Sequence, residues 1–536
     1  MYELLIKNAS VIDGTGAPAF AAAVACEGGK LKVLPADTDA QAAQVIDATG
    51  LTLTPGFIDP HSHGDVPLGK AFNSISKLNQ GITTHVTGQC GFSMFPVNPE
   101  TLDLMQAGMA IFTDTFPEEM ATFTSMENYL KYLEENVKIP ENVKFNVGHV
   151  SLRIAAMGFD NRKPTEAELQ KMKDMLDEAM SHGAIGMSTG LIYIPSVYSD
   201  VDEIAELCKV VAKHDGLYTT HMRNEGDDVL KSIDEAIEVG RRSGCRVHIS
   251  HLKACGRQNW GKSKEIIEKI EAAHAEGIRV TADQYPYIAS MTHLNTTIPP
   301  KYFTKGTAGM VEIIKDPAMQ AQIRDEIVNG KVKFENQYLN CGGFDGIFVS
   351  SCAATPEYEG MTIGDAARKH NMDEFDLFFD LLIRNEGVAS AIYFCIGEED
   401  VFNLIRHPSV IPGTDGIVKS EKEKAHPRAY GTMTRTLNYF VKENNVLPLE
   451  QMIHKITGLA AEMTMIDTKG IIADGKDADL VLFNYETVRD TADFIDSSAL
   501  SEGIEYVIVA GEVVYKDKQL TGATPGKVVL HKSAKQ

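Results

Sequence analysis

Residues 54–65 read T-P-G-F-I-D-P-H-S-H-G-D, an apolar run that ends in His61 and His63, two positions apart. In a strand, residues i and i+2 point to the same face, so both imidazoles can reach one point at the strand's end. Neutral imidazole is a good ligand for zinc and its transition-metal neighbours. Taken alone, the pair fits two packing histidines equally well. Four further stretches have the same form: 84–91 with Cys90, 218–223 with His221, 247–253 with His251, and 412–416 with Asp415. Four imidazoles, a thiol and a carboxylate at the ends of five apolar runs are a donor set that suits a metal.

Those ends need a frame that brings them together. From residue 54 onward, short apolar runs alternate with helical patterns, as in a parallel α/β fold. Eight strands are expected, near Phe57, Thr84, Phe145, Ile185, Tyr218, Val247, Val280 and Ile411. Helical stretches at 201–214, 227–243 and 262–276 precede Gly216, Gly244 and Gly277, residues suited to a left-handed cap. Eight such strands predict a (β/α)8 TIM-like barrel, whose sites lie at the carboxyl ends of the strands.

Residues 294–400 interrupt the pattern between strands seven and eight and are too long for an ordinary loop. With helical text at 316–328 and 372–384 and a strand-like run at 346–349, they read as an inserted subdomain over the barrel mouth. Strand-like runs recur at both chain ends: 2–12, 31–33 and 45–46, then 470–472, 479–483, 506–509 and 513–514. The two ends are expected to pair into a small β-sandwich that protects their edges. The expected division is 1–53 (first part of the sandwich), 54–293 (barrel strands one to seven), 294–400 (insertion), 401–466 (strand eight and the following helices) and 467–536 (rest of the sandwich).

The chain has 536 residues and a formal net charge of −23, which disfavours nucleic acid and anionic membrane as partners. Eight cysteines without a repeated spacing are not a disulfide framework. The sequence has no signal-peptide pattern and no apolar run long enough to span a bilayer, so a cytoplasmic setting is expected.

The sequence resembles the amidohydrolase superfamily and, within it, the N-acyl-D-amino-acid deacylases, or D-aminoacylases. The resemblance is carried by P-G-F-I-D-P-H-S-H-G-D (55–65), G-Q-C-G-F-S (88–93), G-H-V-S-L-R (148–153) and Y-I-P-S-V-Y-S (193–199). It continues through H-M-R-N-E (221–225), H-L-K (251–253), D-Q-Y-P-Y (283–287), T-D-G (414–416), H-P-R-x-x-G (426–431) and K-G-x-I-x-x-G-x-D-A-D-L-V (469–481). These motifs cover nearly the whole chain in order.

The resemblance implies a zinc enzyme that hydrolyses N-acyl-D-amino acids to a carboxylate and a free D-amino acid. His221 and His251 with Cys90 would hold a tight zinc. His61 and His63, with Cys90 bridging and Asp415 nearby, would form a second, weaker position. A thiolate bridge replaces the carboxylated lysine of many relatives and fits, because a coordinating thiol is deprotonated. Metal-bound hydroxide would be the nucleophile, with Asp415 as general base and then acid. Arg428 with Tyr285 would take the substrate's α-carboxylate, and Tyr193 would donate to the carbonyl oxygen. Relatives carry a serine where this chain has Met291, so the adjacent Ser290 stands as a candidate for that contact. Lys253 stands open between substrate contact and structure. Arg223 and Glu225 are expected to pair with each other as scaffold, and His85, His248 and His293 to be packing or surface residues. His149 and Arg153 match a family run without a role. Lys301 is the one nearby candidate for a cation that would select acidic side chains.

Two alternatives remain. A dihydroorotase- or hydantoinase-like cyclic-amide hydrolase shares the fold, but Cys90 and the H-P-R element argue against it. A non-catalytic scaffold would have lost metal ligands, and all six candidate positions are filled. The partner implied is a small N-acyl amino acid.

Overall fold

The structure of the chain, a computed structural model, describes residues 1–110, 112, 113, 115–303, 305–420 and 425–532; the last four residues of the expected C-terminal segment lie outside these. The N-terminal segment forms β1 (Tyr2–Val11), β2 (Phe20–Glu27), β3 (Lys30–Leu34), β4 (Ala42–Asp47) and β5 (Thr52–Pro55). β1 pairs antiparallel with β2. On its other edge β1 is shared, its first half by β4 and its end by β5, both parallel.

The parallel strands follow: β6 (Phe57–Asp59), β7 (Ile82–Thr87), β8 (Asn142–Phe145), β9 (Val147–Gly148), β10 (Gly186–Gly190), β11 (Leu217–His221), β12 (Arg246–Ile249) and β13 (Val280–Gln284). β6, β7 and β8 make one sheet, and β9 to β13 run side by side in a second. Only Asn146 separates β8 from β9. These strands are almost wholly buried, which is why they read as continuous apolar runs rather than alternating ones. Packing is tight enough that a Cβ at Gly186 would stand 1.7 Å from the Leu217 carbonyl oxygen.

Helices flank the strands and bury one stripe each. Val229–Ser243 buries Ile233, Ala236 and Ile237 and stops at Gly244, φ 78°, the left-handed cap expected from its sequence. The helix Val201–Lys213 differs at its end. There Asp215, at φ 53°, takes the left-handed conformation in place of Gly216, as Asp can through its short polar side chain.

The stretch after β13 carries β14 (Ser290–His293), β15 (Ile347–Ser351) and β16 (Ser390–Tyr393), an antiparallel sheet in the order β14-β16-β15. β14 thus joins this sheet although it precedes residue 294. β17 (Val410–Pro412) returns to the parallel set beside β13. Beyond its end the Asp415 amide donates to the His61 carbonyl at 2.8 Å, and the His63 amide donates to the Gly416 carbonyl at 3.1 Å. The last parallel strand therefore meets the first. The expected helix at 449–463 is two helices, Leu449–Ile456 and Gly458–Met463.

β18 (Leu480–Phe483), β19 (Ile504–Val509), β20 (Glu512–Lys516) and β21 (Gln519–Leu520) complete the chain. β18 pairs antiparallel with β5, from Leu480 opposite Pro55 to Phe483 opposite Thr52. The two chain ends therefore share one nine-stranded sheet. Residues 470–472 are not a strand; the Ile472 amide instead donates to the Asp13 carbonyl. Leu4, Ile6, Val11, Leu53, Leu480 and Leu482 form a core of their own on this sheet.

Candidate metal centre

The six candidate ligands meet at the carboxyl ends of the parallel strands. His221 ends β11, while the others stand in the turns just beyond β6, β7, β12 and β17. His61 and His63 thus lie past their strand rather than in it. They still face one atom: Asp415 Oδ1 is 3.3 Å from His61 Nε2 and 3.1 Å from His63 Nε2. Cys90 Sγ lies 3.4 Å from His61 Nε2 and 3.5 Å from His251 Nε2. Two groups result, His61, His63, Cys90 and Asp415, and Cys90, His221 and His251, with the ligand atoms of each within 4.8 Å of one another. Cys90 belongs to both. Cys90, His251 and Asp415 all have positive φ, 52°, 36° and 47°, a conformation non-glycine residues adopt at a cost and one that concentrates at functional sites.

This donor set fits a metal. Neither ring nitrogen of buried His221 finds a hydrogen-bond partner, a costly state for an imidazole that nothing coordinates. Burial would raise the Cys90 thiol, but His61 and His251 beside it hold it well below its usual value. Burial would likewise raise Asp415, and Arg428 and His61 keep it well below the usual carboxylate range. A thiolate, a carboxylate and imidazoles, which would bind through their neutral form, are a donor set that suits zinc.

Carboxylates behind the ligands orient them. Asp283 Oδ2 sits 3.2 Å from His61 Nδ1 and 3.0 Å from His248 Nε2, and its Oδ1 accepts the His251 amide at 2.9 Å. Burial would raise Asp283, yet His61 and His248 hold it far below its usual value. Asp59 accepts from the amide and hydroxyl of Thr414 and from the His61 amide. Glu225 Oε1 lies 2.9 Å from His251 Nδ1 and 2.5 Å from Lys253 Nζ. Arg223 does not pair with Glu225 as expected; its partner is Glu235 at 2.9 Å. The difference has a reason: Glu225 turns inward to a buried histidine and lysine, while half-buried Arg223 turns outward. His248, expected only to pack, belongs to the Asp283 network.

One cavity is lined by His63, Cys90, His221, His251 and Asp415 together with Arg428, Tyr285, Tyr193, Lys253 and Ser290. His61 lies beneath it, fully buried. Arg428 Nη1 is 2.9 Å from Asp415 Oδ2, and its plane covers the Tyr285 ring at 4.7 Å. Arg428 Nε and the Tyr285 hydroxyl, both buried, have no hydrogen-bond partner. The Tyr193 hydroxyl meets Thr292 Oγ1 at 3.0 Å. Lys253 Nζ donates to Glu225 and to the His251 carbonyl at 2.6 Å, and stands 2.8 Å from His251 Nδ1. Met291 lines the cavity beside Ser290, whose hydroxyl lies 4.0 Å from Cys395 Sγ.

The unassigned family run also finds a place. His149 binds Ser196 Oγ at 2.6 Å and Glu203 at 3.0 Å, and Arg153 Nη1 donates to both Glu203 oxygens. With Arg223, which donates to the Val197 and Ser199 carbonyls, they hold the segment that carries Tyr193. Lys301 is far from any such role; it pairs with Glu326 at 2.7 Å and is half exposed. His85 is buried with both nitrogens unpartnered, and His293 lines a neighbouring cavity.

A family model described as "Amidohydrolase family" matches residues 44–323 and 371–515. A D-aminoacylase of Alcaligenes xylosoxydans xylosoxydans is 31% identical over 99% of this chain and 98% of its own length. An N-acyl-D-aspartate deacylase of the same organism is 33% identical over 98% and 95%. The crystal structure of N-acyl-D-glutamate deacylase from Bordetella bronchiseptica, complexed with zinc and a phosphonate inhibitor, superposes with a TM-score of 0.83 at 30% identity, covering 99% of both chains. The chain belongs to the amidohydrolase family, in the group of the D-aminoacylases and N-acyl-D-amino-acid deacylases.

Proposed function

We propose that the chain is a zinc-dependent hydrolase that converts N-acyl-D-amino acids to a carboxylate and a free D-amino acid. One observation carries the reading: metal-type donors from five strand ends face one another in the cavity where Arg428 and Tyr285 keep unpartnered buried donors. His221, His251 and Cys90 would hold one zinc, and His61, His63, Cys90 and Asp415 a second. A zinc ion held there would polarise the scissile carbonyl and make water a competent nucleophile near neutral pH.

The chain's own residues do the rest. Asp415, kept ionised by Arg428 and His61, accepts the water's proton and returns it to the leaving nitrogen, which departs poorly as an anion. Arg428 and Tyr285 take the α-carboxylate, and Tyr193 donates to the carbonyl oxygen. Ser290 is within the same cavity as a further hydroxyl for the carboxylate. Lys253, which donates to Glu225 and to the His251 carbonyl, orients Glu225 behind His251 rather than touching substrate.

The parallel strands read as a closed (β/α)8 barrel, with the bridge between His61–His63 and Asp415–Gly416 as support. The shared terminal sheet reads as the accessory sandwich, and the β14–β16 region as a subdomain inserted before the eighth strand. Eight buried free cysteines suit a reducing compartment, so we place the enzyme in the cytoplasm. Among the described residues no helix is long and apolar enough to cross a membrane.

A panel of N-acetyl-D- and N-acetyl-L-amino acids, with hydantoins as the ring alternative, tests the reading. Turnover of the D-series with release of free amino acid is expected. Hydrolysis of ring compounds alone would replace this function with a cyclic-amide one.

A further inference from the structure

Tyr193 stands between the ligand cluster and the sheet inserted before β17. Its ring is clamped. The Phe92 and His221 rings meet it edge to face at 5.3 and 5.2 Å between centroids. On the side of β10, a Cβ at Gly190 would stand 2.6 Å from its Cδ2. Such packing sets where the hydroxyl oxygen sits, but not where its proton points. That oxygen hydrogen-bonds to Thr292 Oγ1 at 3.0 Å. Thr292 is fixed in its turn: it lies within β14, opposite Ala391 of β16, and is 6% exposed. Both side chains line the cavity of the metal centre.

A hydroxyl carries one proton and two lone pairs, and it rotates to suit its neighbours. In the free enzyme either oxygen of the pair can therefore donate to the other. Once Tyr193 gives its proton to a carbonyl oxygen, it has none left for Thr292. The bond between the two then persists only with Thr292 as the donor, which the threonine rotor allows. Hydroxyls in series polarise one another, so the inner donor strengthens the outer one. A carbonyl oxygen gains negative charge as water adds to it, so this help is worth more in the transition state than in the bound substrate.

We infer that Thr292 is a positioning residue for the reaction: its hydroxyl donates to Tyr193 Oη and so directs the Tyr193 proton onto the substrate's carbonyl oxygen. This rests on the role of Tyr193 in the deacylase reading above. The inserted sheet thereby contributes to turnover through one hydroxyl that acts on another side chain.

The test is a double-mutant cycle with N-acetyl-D-methionine, in which kcat and KM are measured separately. Thr292→Val keeps the shape of the side chain and removes its hydroxyl. It should lower kcat by about three- to tenfold, the worth of one hydrogen bond, with KM little changed. Thr292→Ser should restore most of the rate. On a Tyr193→Phe background, Thr292→Val should cost nothing further, because the group it acts through is gone. Zinc content, read by metal analysis, should match wild type throughout. An equal loss on both backgrounds would overturn the inference, since Thr292 would then act without Tyr193. So would a serine variant no better than valine, or a Tyr193→Phe variant as fast as wild type. If the valine variant does not fold, the smaller Thr292→Ala takes its place in the cycle. A wild type that hydrolyses no N-acyl-D-amino acid would refute the deacylase reading itself, a result distinct from an active wild type with an uncoupled cycle.

Discussion

Removing the guanidinium of Arg428 separates substrate recognition from catalysis. The side chain is 1% exposed. Nη2 donates to the Met291 carbonyl at 3.3 Å, Nη1 lies beside Asp415 without hydrogen-bond alignment, and Nε has no acceptor. A buried cation in this state lacks a full set of acceptors, which an anion entering the cavity would complete. A substrate carboxylate would take two charge-assisted hydrogen bonds worth about 1.5–3 kcal/mol each. Arg428→Met should therefore cost about 3–6 kcal/mol of transition-state stabilisation, a fall in kcat/KM of roughly a hundredfold to ten-thousandfold. The assay sets N-acetyl-D-methionine against N-acetyl-D-methioninamide, which lacks the carboxylate. Loss of the Arg428 contact to Asp415 weakens turnover of both substrates and cancels in their ratio. The acid should suffer by the full factor beyond that common loss. Equal losses on acid and amide would refute the assignment and move carboxylate binding elsewhere.

Three further outcomes are expected. Cys90→Ala should lose zinc, read by metal analysis, while unfolding remains cooperative; stoichiometric zinc in the variant would count against the shared thiol. Asp283→Asn should weaken zinc affinity by about 10–100-fold in competition with a chelator, the usual effect of losing a carboxylate behind a metal-binding histidine; unchanged affinity would show that His61 is oriented by other means. Burial, with Glu225 nearby, pushes the Glu335 carboxyl up to about 8. The folded state therefore holds a proton there that the unfolded state releases near pH 4, roughly, so stability falls as pH rises across that window. Glu335→Gln should raise Tm more at pH 9 than at pH 5, and an equal offset at both would contradict the shift.

The candidate ligands were legible in the sequence because each stands at or just beyond the end of an apolar run, and a parallel α/β fold gathers such ends on one side. What surrounds them was not legible. Asp283 stands in D-Q-Y-P-Y with no spacing that marks it as the carboxylate behind His61 and His251. Arg223 and Glu225 stand at the same strand end and read as an ion pair, whereas the fold sends one inward and the other outward. Glu335 comes from an insertion whose text shows helices and strands but not where they land. The terminal strands were recognisable singly; that β5 would stand between β1 and β18 depends on pairing over more than four hundred residues.

That pairing affects how the protein is made. A ribosome delivers β5 more than four hundred residues before β18. Throughout the interval the edge of β5 that β18 will cover has no strand to bond with, and Leu53 and Thr54, buried in the finished fold, lack that cover. Exposed strand edges recruit other chains. The nascent polypeptide must therefore carry a sticky border until those residues are made, and a truncation that stops before Leu480 would keep it permanently.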